Sequence, residues 1–266
     1  MVHEHSKMVE TWFKDCPFAL IAFSGGVDSS LVAFLARKHL GNTRMAAVIS
    51  ASPSLKLSDL DAGKMFCLEH GIPLEIIETE ELKNPDYATN PVNRCYFCKH
   101  TLYTELQLLA QQKAPCWILN GTNTDDLGDY RPGLQAASEF EVRSPLAECN
   151  LNKEHVRALA RSHALACWDK PASPCMSSRI PYGQEVTRKK LRQIEAGEAL
   201  VLKLGFPIVR LRHHDTKAVI EIPPEEIPRL KKQERTLAQQ LKIIGFAETE
   251  IDGEGFVSGK LNRVLP

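Results

Sequence analysis

The stretch that most constrains this chain is residues 18–31, FALIAFSGGVDSSL. Residues 18–23 are a short unbroken apolar run, the mark of a strand buried on both faces. The run stops at Ser24-Gly25-Gly26-Val27-Asp28-Ser29, and residues 30–36 (SLVAFLA) then read as a helix. A strand feeding a glycine turn and a helix N-terminus makes an anion site, because unpaired N–H groups and the helix dipole converge on one spot. Gly25 and Gly26 let the backbone approach an anion, and Ser24, Ser29 and Ser30 add hydroxyl donors. No Gly-Lys-Ser/Thr follows the glycines and GxGxxG is absent, so neither the Walker loop nor the dinucleotide fingerprint applies.

SGGVDS between a strand and a helix resembles the pyrophosphate loop (PP-loop) of the ATP pyrophosphatase superfamily, whose members split ATP between its α and β phosphates. The competing reading is a plain tight turn between core elements.

The rest of the chain alternates in kind. Residues 4–14 form a leading helix, with Met8, Val9, Trp12 and Phe13 on one face. Buried strands are expected at 45–50, 74–78 and 116–121, with a fifth near 140–143. Ser58 is placed to cap a helix through Leu68, and another helix runs from about 102 to 112. This alternation implies an α/β fold, a doubly wound parallel sheet. Ligands lie beyond the strand C-termini of such sheets, so Ile49 and Ser50 either meet an adenine ring or pack as an ordinary strand end. From about Tyr182 the pattern changes. Thr187 caps a helix to about 204, strands are expected at 207–212 and 218–222, Pro223/Pro224 open a helix to about 244, and a last strand falls near 247–251. The expected division is residues 1–170, a PP-loop domain, and 171–266, a smaller α+β domain for substrate and group transfer.

With 33 acidic and 33 basic residues, no bulk attraction to nucleic acid or membrane is expected. No apolar run is long enough to span a bilayer, and MVHEHSKMVETWF lacks the zones of a signal peptide; a cytoplasmic protein with no membrane or nucleic-acid partner is expected. Eight cysteines in such a chain are not a disulfide scaffold. Cys16, Cys67, Cys116, Cys149 and Cys167 sit singly among apolar or helical residues and read as buried inert thiols.

Residues 120–133, NGTNTDDLGDYRPG, follow the fourth strand on the same rim as the glycine turn. Asp125 and its neighbours can hold Mg²⁺ on a departing pyrophosphate, with Arg131 balancing charge; alternatively Asp125 caps a helix in a polar turn. Cys95 and Cys98 make a CxxC in NRCYFCK, with no second CxxC to complete a four-thiolate zinc site. A dithiol redox motif would need a helix start after a strand, whereas Pro91-Val92-Asn93 reads as a loop. Cys175 lies between Pro174 and Arg179, whose charge favours a thiolate.

SGGVDS, NRCYFCK, GTNTDDLGDYRPG, WDKPASPCMSSRIPYG and VRLRHHD, in this order and spacing, resemble the LarE family of ATP-dependent sulfur transferases over residues 18 to at least 222. The resemblance implies ATP and Mg²⁺, a nucleotide-type substrate, a sulfide donor and a homo-oligomer, a trimer or hexamer. Such enzymes adenylylate a carboxylate of pyridinium-3,5-biscarboxylic acid mononucleotide and convert it to a thiocarboxylate. It also implies roles for this chain's residues: Ser24 to Ser29, Ser50, Asp125 and Arg131 around ATP; Cys175, Arg179 and Glu198 at the reacting centre; Arg210 and Arg212, alternating on one strand face, on a substrate phosphate; and Glu221 as a secondary acid. One branch of the family sacrifices the sulfur of a single cysteine at the Cys175 position. The other holds a [4Fe-4S] cluster on three cysteines, here Cys95, Cys98 and Cys175. Three thiolates leave one iron open for an exchangeable sulfide, which favours the cluster branch. His213 and His214 read as solvent-facing strand-end residues, and Arg188, Lys189, Lys190 and Arg192 as a solvated helix face. A tRNA thiolase, an amide-forming synthetase for NAD or GMP, and a nucleotide-sensing metal module are the rival readings.

Overall fold

A computed structural model of the chain describes residues 2–128, 131–171, 173–257 and 260–264. The chain divides into two compact units, Met1–Glu81 with Asn93–Ser173, and Leu82–Val92 with Pro174–Pro266. The second unit thus takes in a stretch that the sequence reading leaves with the first.

Helix α1 (Val2–Phe13) buries Val9 and Phe13. Strand β1 (Ala19–Ala22) is buried at all four positions and runs through the glycine turn into α2 (Val27–Leu40), which begins three residues earlier than expected. Next come β2 (Met45–Ser50), α3 (Leu57–Glu69) and β3 (Leu74–Ile77). After α4 (Pro85–Ala88), in the second unit, follow α5 (Arg94–Gln111), β4 (Trp117–Leu119), α6 (Pro132–Glu139), α7 (Pro145–Glu148) and α8 (Lys153–Ser162). The four strands are parallel, in the order β3-β2-β1-β4. Successive β1 residues point to opposite faces. Ala19 and Ile21 enter a core with Leu31, Leu35, Leu146 and Leu159, while Leu20 and Ala22 enter one with Tyr103, Leu106 and Ala136. Helices therefore cover both faces of the sheet, the doubly wound α/β architecture expected. The strand order reverses between β1 and β4, and the loops after those two strands flank the reversal, where such sheets bind ligands.

Four local expectations change. Ser58 does not cap α3; Lys56 occupies the N-cap with no side-chain bond, and Ser58 lies inside the first turn. Helix α5 starts eight residues before the expected position, drawing Cys95 and Cys98 into its first turn. No strand forms at 140–143: α6 runs to Glu139, Glu141 adopts a left-handed φ of 52°, and the chain makes only the single parallel bridge Leu119–Arg143. The helix expected from Pro223 to 244 is broken at Lys232 and Gln233.

The second unit holds a 3₁₀ turn at Met176–Arg179 and α9 (Arg188–Lys203), capped as expected by Thr187, whose hydroxyl accepts from the Lys190 amide at 3.2 Å. Strands β5 (Arg210–His214) and β6 (Lys217–Glu221) form an antiparallel pair. Two helices follow, α10 (Ile227–Lys231) and α11 (Glu234–Ile244). Strand β7 (Glu248–Ile251) then joins β6 in parallel, giving the order β5-β6-β7. Among the described residues no helix is long and apolar enough to cross a membrane.

Candidate active site

In the first unit the glycine turn is shaped by its own hydroxyls. Ser29 Oγ accepts from the Ser24 amide at 3.2 Å and lies 3.0 Å from Ser24 Oγ. Gly25 takes a left-handed φ of 70°, which a side chain would strain. Gly26 is the N-cap of α2 and brings no capping side chain, so the first-turn amides of the helix are left for an anion. Val27 is buried in the core and Ser29 and Ser30 lie beneath the turn; Val27 therefore offers its amide, not its side chain.

The loop after β4 closes on this turn. A Cβ at Gly121 would stand 2.7 Å from the Ser29 amide nitrogen and 2.9 Å from the Asp28 carbonyl carbon, so only glycine permits this approach. Asn123 Nδ2 donates to Asp28 Oδ1 at 3.0 Å, and the Lys153 ammonium pairs with Asp28 Oδ2. Asp126 accepts from the Asn123 amide at 3.1 Å and pairs with Arg131 at 2.7 Å. Burial raises the Asp126 carboxyl above its ordinary range against the pull of Asn123 and Arg131, and the facing Asp28 charge adds to the rise. Asp125 accepts from the Lys153 amide at 3.0 Å, at the first turn of α8, which is the helix-capping alternative for this residue. Asp129 and Tyr130 of this motif, and Ala172 of the later one, lie outside the described residues.

Ser50, at the C-terminal end of β2, hydrogen-bonds Thr79, which donates to buried Glu81 at 2.9 Å; Ser54 donates to the same carboxylate at 3.1 Å. Lys170 donates to the Gly25 carbonyl at 3.2 Å and to Asp59 at 3.1 Å, so the far side of the turn is tied to α3. Asp126 falls among the rim-loop carboxylates expected near Mg²⁺, whereas the sequence reading gives Asn123, Lys153 and Lys170 no role. The signal for Lys153 was the Asn152-x-x-His155 capping box, which places Lys153 at a helix start directly after the rim loop.

Cys95 and Cys98 stand one turn apart on α5, the first exposed and the second half-buried. At this spacing their sulfurs share a helix face. Burial pushes the thiols of Cys16 and Cys67 up to about 12 and those of Cys116 and Cys149 up to about 11, in keeping with inert thiols, although Cys116 and Cys167 are half-buried rather than buried as expected. Burial also raises Cys167.

In the second unit Cys175, half-buried, precedes the 3₁₀ turn. Arg179 is fully buried; it donates to Glu198 Oε1 at 2.9 Å and to the carbonyl oxygens of Pro174 and Cys175 at 2.7 and 3.2 Å. Its guanidinium thus folds the segment around Cys175 onto α9. Glu198 also accepts from the Leu211 amide of β5 at 3.2 Å. Arg212 donates to the Ser178 carbonyl at 2.7 Å and grips Glu221 with two nitrogens, at 3.0 and 2.9 Å. Glu221 stands opposite Arg210 in the β5–β6 register but pairs diagonally with Arg212. Arg210 is left without an ion pair among the described residues, its guanidinium 4.4 Å from the Phe256 ring centroid. Burial, reinforced by the charges of Arg179 and Arg212, pulls Arg210 down to about 10. A cation without a carboxylate, held against other cations, is a site that an anion would relieve.

His213 departs from expectation. It is buried, not solvent-facing, with Nε2 3.1 Å from Gln193 Oε1 and its ring against Phe246. His214 is exposed, and Arg188, Lys189 and Arg192 form the expected solvated face of α9, whereas Lys190 is half-buried and pairs with Asp215 at 2.9 Å.

A parallel sheet carrying this loop on its carboxyl rim defines an α/β nucleotide-binding protein of the PP-loop class, and the NAD synthase family profile matches residues 2–89. The chain is 43% identical to slr1717 of Synechocystis sp. over 100% of this chain and 99% of that protein. It is 35% identical to the pyridinium-3,5-bisthiocarboxylic acid mononucleotide synthase of Lactiplantibacillus plantarum, over 95% of this chain and 91% of the synthase. A glutamine-hydrolyzing GMP synthase component of Methanococcus maripaludis is 26% identical over 55% of this chain and 50% of that protein. The chain belongs to the family of the Lactiplantibacillus synthase.

Proposed function

We propose that the chain is an AMP-forming, ATP-dependent sulfurtransferase acting on pyridinium-3,5-biscarboxylic acid mononucleotide. The observation that carries this reading is Arg210, a cation without an ion pair among the described residues, in the same unit as the thiol of Cys175. The near-full-length match to the Lactiplantibacillus synthase supports it.

The first-turn amides of α2, with Ser24 and the backbone of Gly25 to Ser29, bind the phosphates of ATP, and Ser50 lies on the nucleoside side. Asp28 and the rim-loop carboxylates Asp125 and Asp126 supply oxygens of the kind Mg²⁺ takes. Arg210 takes the substrate phosphate; Arg212 and Arg179, locked to Glu221 and Glu198, hold β5 and the Cys175 segment in place. A substrate carboxylate oxygen attacks the α-phosphorus and pyrophosphate leaves; sulfide then attacks the acyl carbon and AMP leaves. The amides of the turn and nearby cations stabilise the developing charge, so positioning dominates the catalysis.

Within either unit, among the described residues, no three His, Cys, Asp or Glu side chains form a preassembled metal site. The family resemblance implies Cys95, Cys98 and Cys175 as ligands, and thiolates are the donors an iron–sulfur group takes. A [4Fe-4S] cluster on these three thiolates would supply exchangeable sulfide at the iron that no cysteine ligates. The family resemblance further suggests a homo-oligomer.

The test is anaerobic purification with iron and acid-labile sulfide counts, then product counting with ATP, sulfide and the mononucleotide. Several products per chain, with AMP and pyrophosphate in step, are expected. Cys95→Ala and Cys98→Ala should lose turnover; full turnover in either defeats the cluster, and loss of H₂S from Cys175 after one cycle marks the sacrificial route. No pyrophosphate from the wild type in the presence of the mononucleotide defeats the function itself.

A further inference from the structure

Three arginines of the second unit lie close enough for their charges to act on one another, and they are held in two different ways. Arg179 and Arg212 each donate to a buried carboxylate, Glu198 and Glu221, which cancels the charge and takes up part of the donor fork. Arg210 makes no hydrogen bond or ion pair among the described residues, and its guanidinium lies over the Phe256 ring, 4.4 Å from the centroid. A carboxylate holds an arginine through its N–H groups, whereas an aromatic ring attracts the cation and leaves its charge uncancelled. Phe256 therefore fixes Arg210 without spending the donors that a ligand needs.

The ring is itself built into the fold. After β7 the Asp252 amide donates to the Ile220 carbonyl at 2.9 Å, which carries the chain along β6. The Asp252 carboxylate accepts from the amides of Glu254 and Gly255, at 2.8 and 3.1 Å, and from Lys260 at 2.7 Å. Gly255 takes a left-handed φ of 75°, and a Cβ there would stand 2.6 Å from the Ile222 carbonyl oxygen. The Phe256 amide donates to that same carbonyl at 2.8 Å. The turn thus folds back over the end of β6, where Glu221 stands opposite Arg210, and sets the ring against the guanidinium.

Resting on the sulfurtransferase reading above, we propose that Phe256 is a positioning residue of the substrate-phosphate site. Its ring holds Arg210 in place and leaves the charge and donors of the guanidinium for a phosphate monoester, which Phe256 itself does not touch. A carboxylate in its place would compete with the ligand, and an aliphatic side chain would leave the long arginine arm unguided.

The experiment is calorimetric titration of the full chain with pyridinium-3,5-biscarboxylic acid mononucleotide, with the corresponding nucleoside lacking the phosphate, and with ATP. The proteins are the wild type, Phe256→Leu, Phe256→Tyr, Arg210→Gln and the double variant Arg210→Gln with Phe256→Leu. Loss of a partly buried cation–π contact should weaken the mononucleotide by about 3- to 30-fold in Phe256→Leu, while the nucleoside and ATP stay within about 2-fold of the wild type. Phe256→Tyr should bind as the wild type does, and Phe256→Leu should add nothing once Arg210 is Gln. If Phe256 only fills space, the Leu variant binds all three ligands as the wild type does, or loses mononucleotide and nucleoside alike with a lower melting temperature. Either result overturns the proposal, as does a Leu effect undiminished in the Arg210→Gln background. Should Phe256→Leu not fold, Phe256→Met, also without a ring, carries the same expectations; failure of both to fold marks a structural residue and overturns the proposal. A wild type that binds ATP but not the mononucleotide defeats the substrate reading and this inference with it. Weakened mononucleotide binding in Arg210→Gln beside an unchanged Phe256→Leu overturns this inference alone.

Discussion

The Arg179–Glu198 pair allows a quantitative test, because both side chains are only 2% exposed. Glu198→Ala would leave the Arg179 guanidinium buried without its counter-charge, and would also strip the Leu211 amide of its acceptor. Removing one partner of a buried pair costs about 3–5 kcal/mol. With a urea slope of about 2 kcal/mol/M for a unit of this size, the midpoint of the second unit should fall by roughly 2 M. The assay has a built-in control. The three tryptophans, Trp12, Trp117 and Trp168, all lie in the first unit. Circular dichroism follows both units, whereas tryptophan fluorescence follows the first alone. The variant should show an early dichroism transition that fluorescence does not share. Arg179→Met with Glu198→Leu removes both charges and should restore most of the loss, giving a large coupling in the double-mutant cycle. A midpoint change below about 0.5 M for Glu198→Ala would refute the claim that this pair clamps the Cys175 segment.

Three further outcomes follow from the geometry. Gly121→Ala drives a Cβ into the backbone of Asp28 and Ser29, and should cost about 1–3 kcal/mol with weakened ATP binding, read by thermal melting and titration. Burial lowers His213 from 6.5 to about 4, so only the unfolded chain takes up a proton between those values. Stability is therefore full above pH 6.5, falls by about 1.4 kcal/mol per unit as pH drops toward 4, and levels off below; His213→Gln should flatten that slope in urea titrations. Brief alkylation of the native, cluster-free protein at pH 8 should spare Cys16, Cys67, Cys116 and Cys149, whose thiolate is scarce at pKa values of about 11–12, and label Cys95, as peptide mass mapping would show.

The strand, glycine turn and helix at residues 18–40 were legible because a doubly buried strand leaves an unbroken apolar run and the turn needs Gly25 at positive φ. The start of α5 was not legible: Asn93 makes no capping bond, so the sequence carries no mark of the helix that takes up the CxxC. At 140–143 the apolar residues suggested a strand, but left-handed Glu141 turns the chain, and only Arg143 beyond it makes a single bridge. The shared face of Arg210 and Arg212 followed from strand alternation, yet their different fates depended on the diagonal reach of Glu221, which only packing decides. The same alternation set His213 beside Leu211 on the covered face, where Gln193 and Phe246 meet it; reading His213 by residue type alone missed this.

The second unit is not continuous in sequence, and this limits how the protein can be cut. Tyr87 donates or accepts at 2.7 Å with Ser177, and Asn90 reaches the Ile180 and Pro181 carbonyls at 3.2 and 2.7 Å. These contacts come from an eleven-residue excursion, Leu82–Val92, that returns to the first unit just before the CxxC. A C-terminal piece expressed from residue 171 onward would lack that excursion and leave the floor of its own cysteine-bearing turn unbuilt. Dissecting the molecule therefore calls for grafting residues 82–92 back by a linker or by permuting the chain ends, since no single cut yields an intact half.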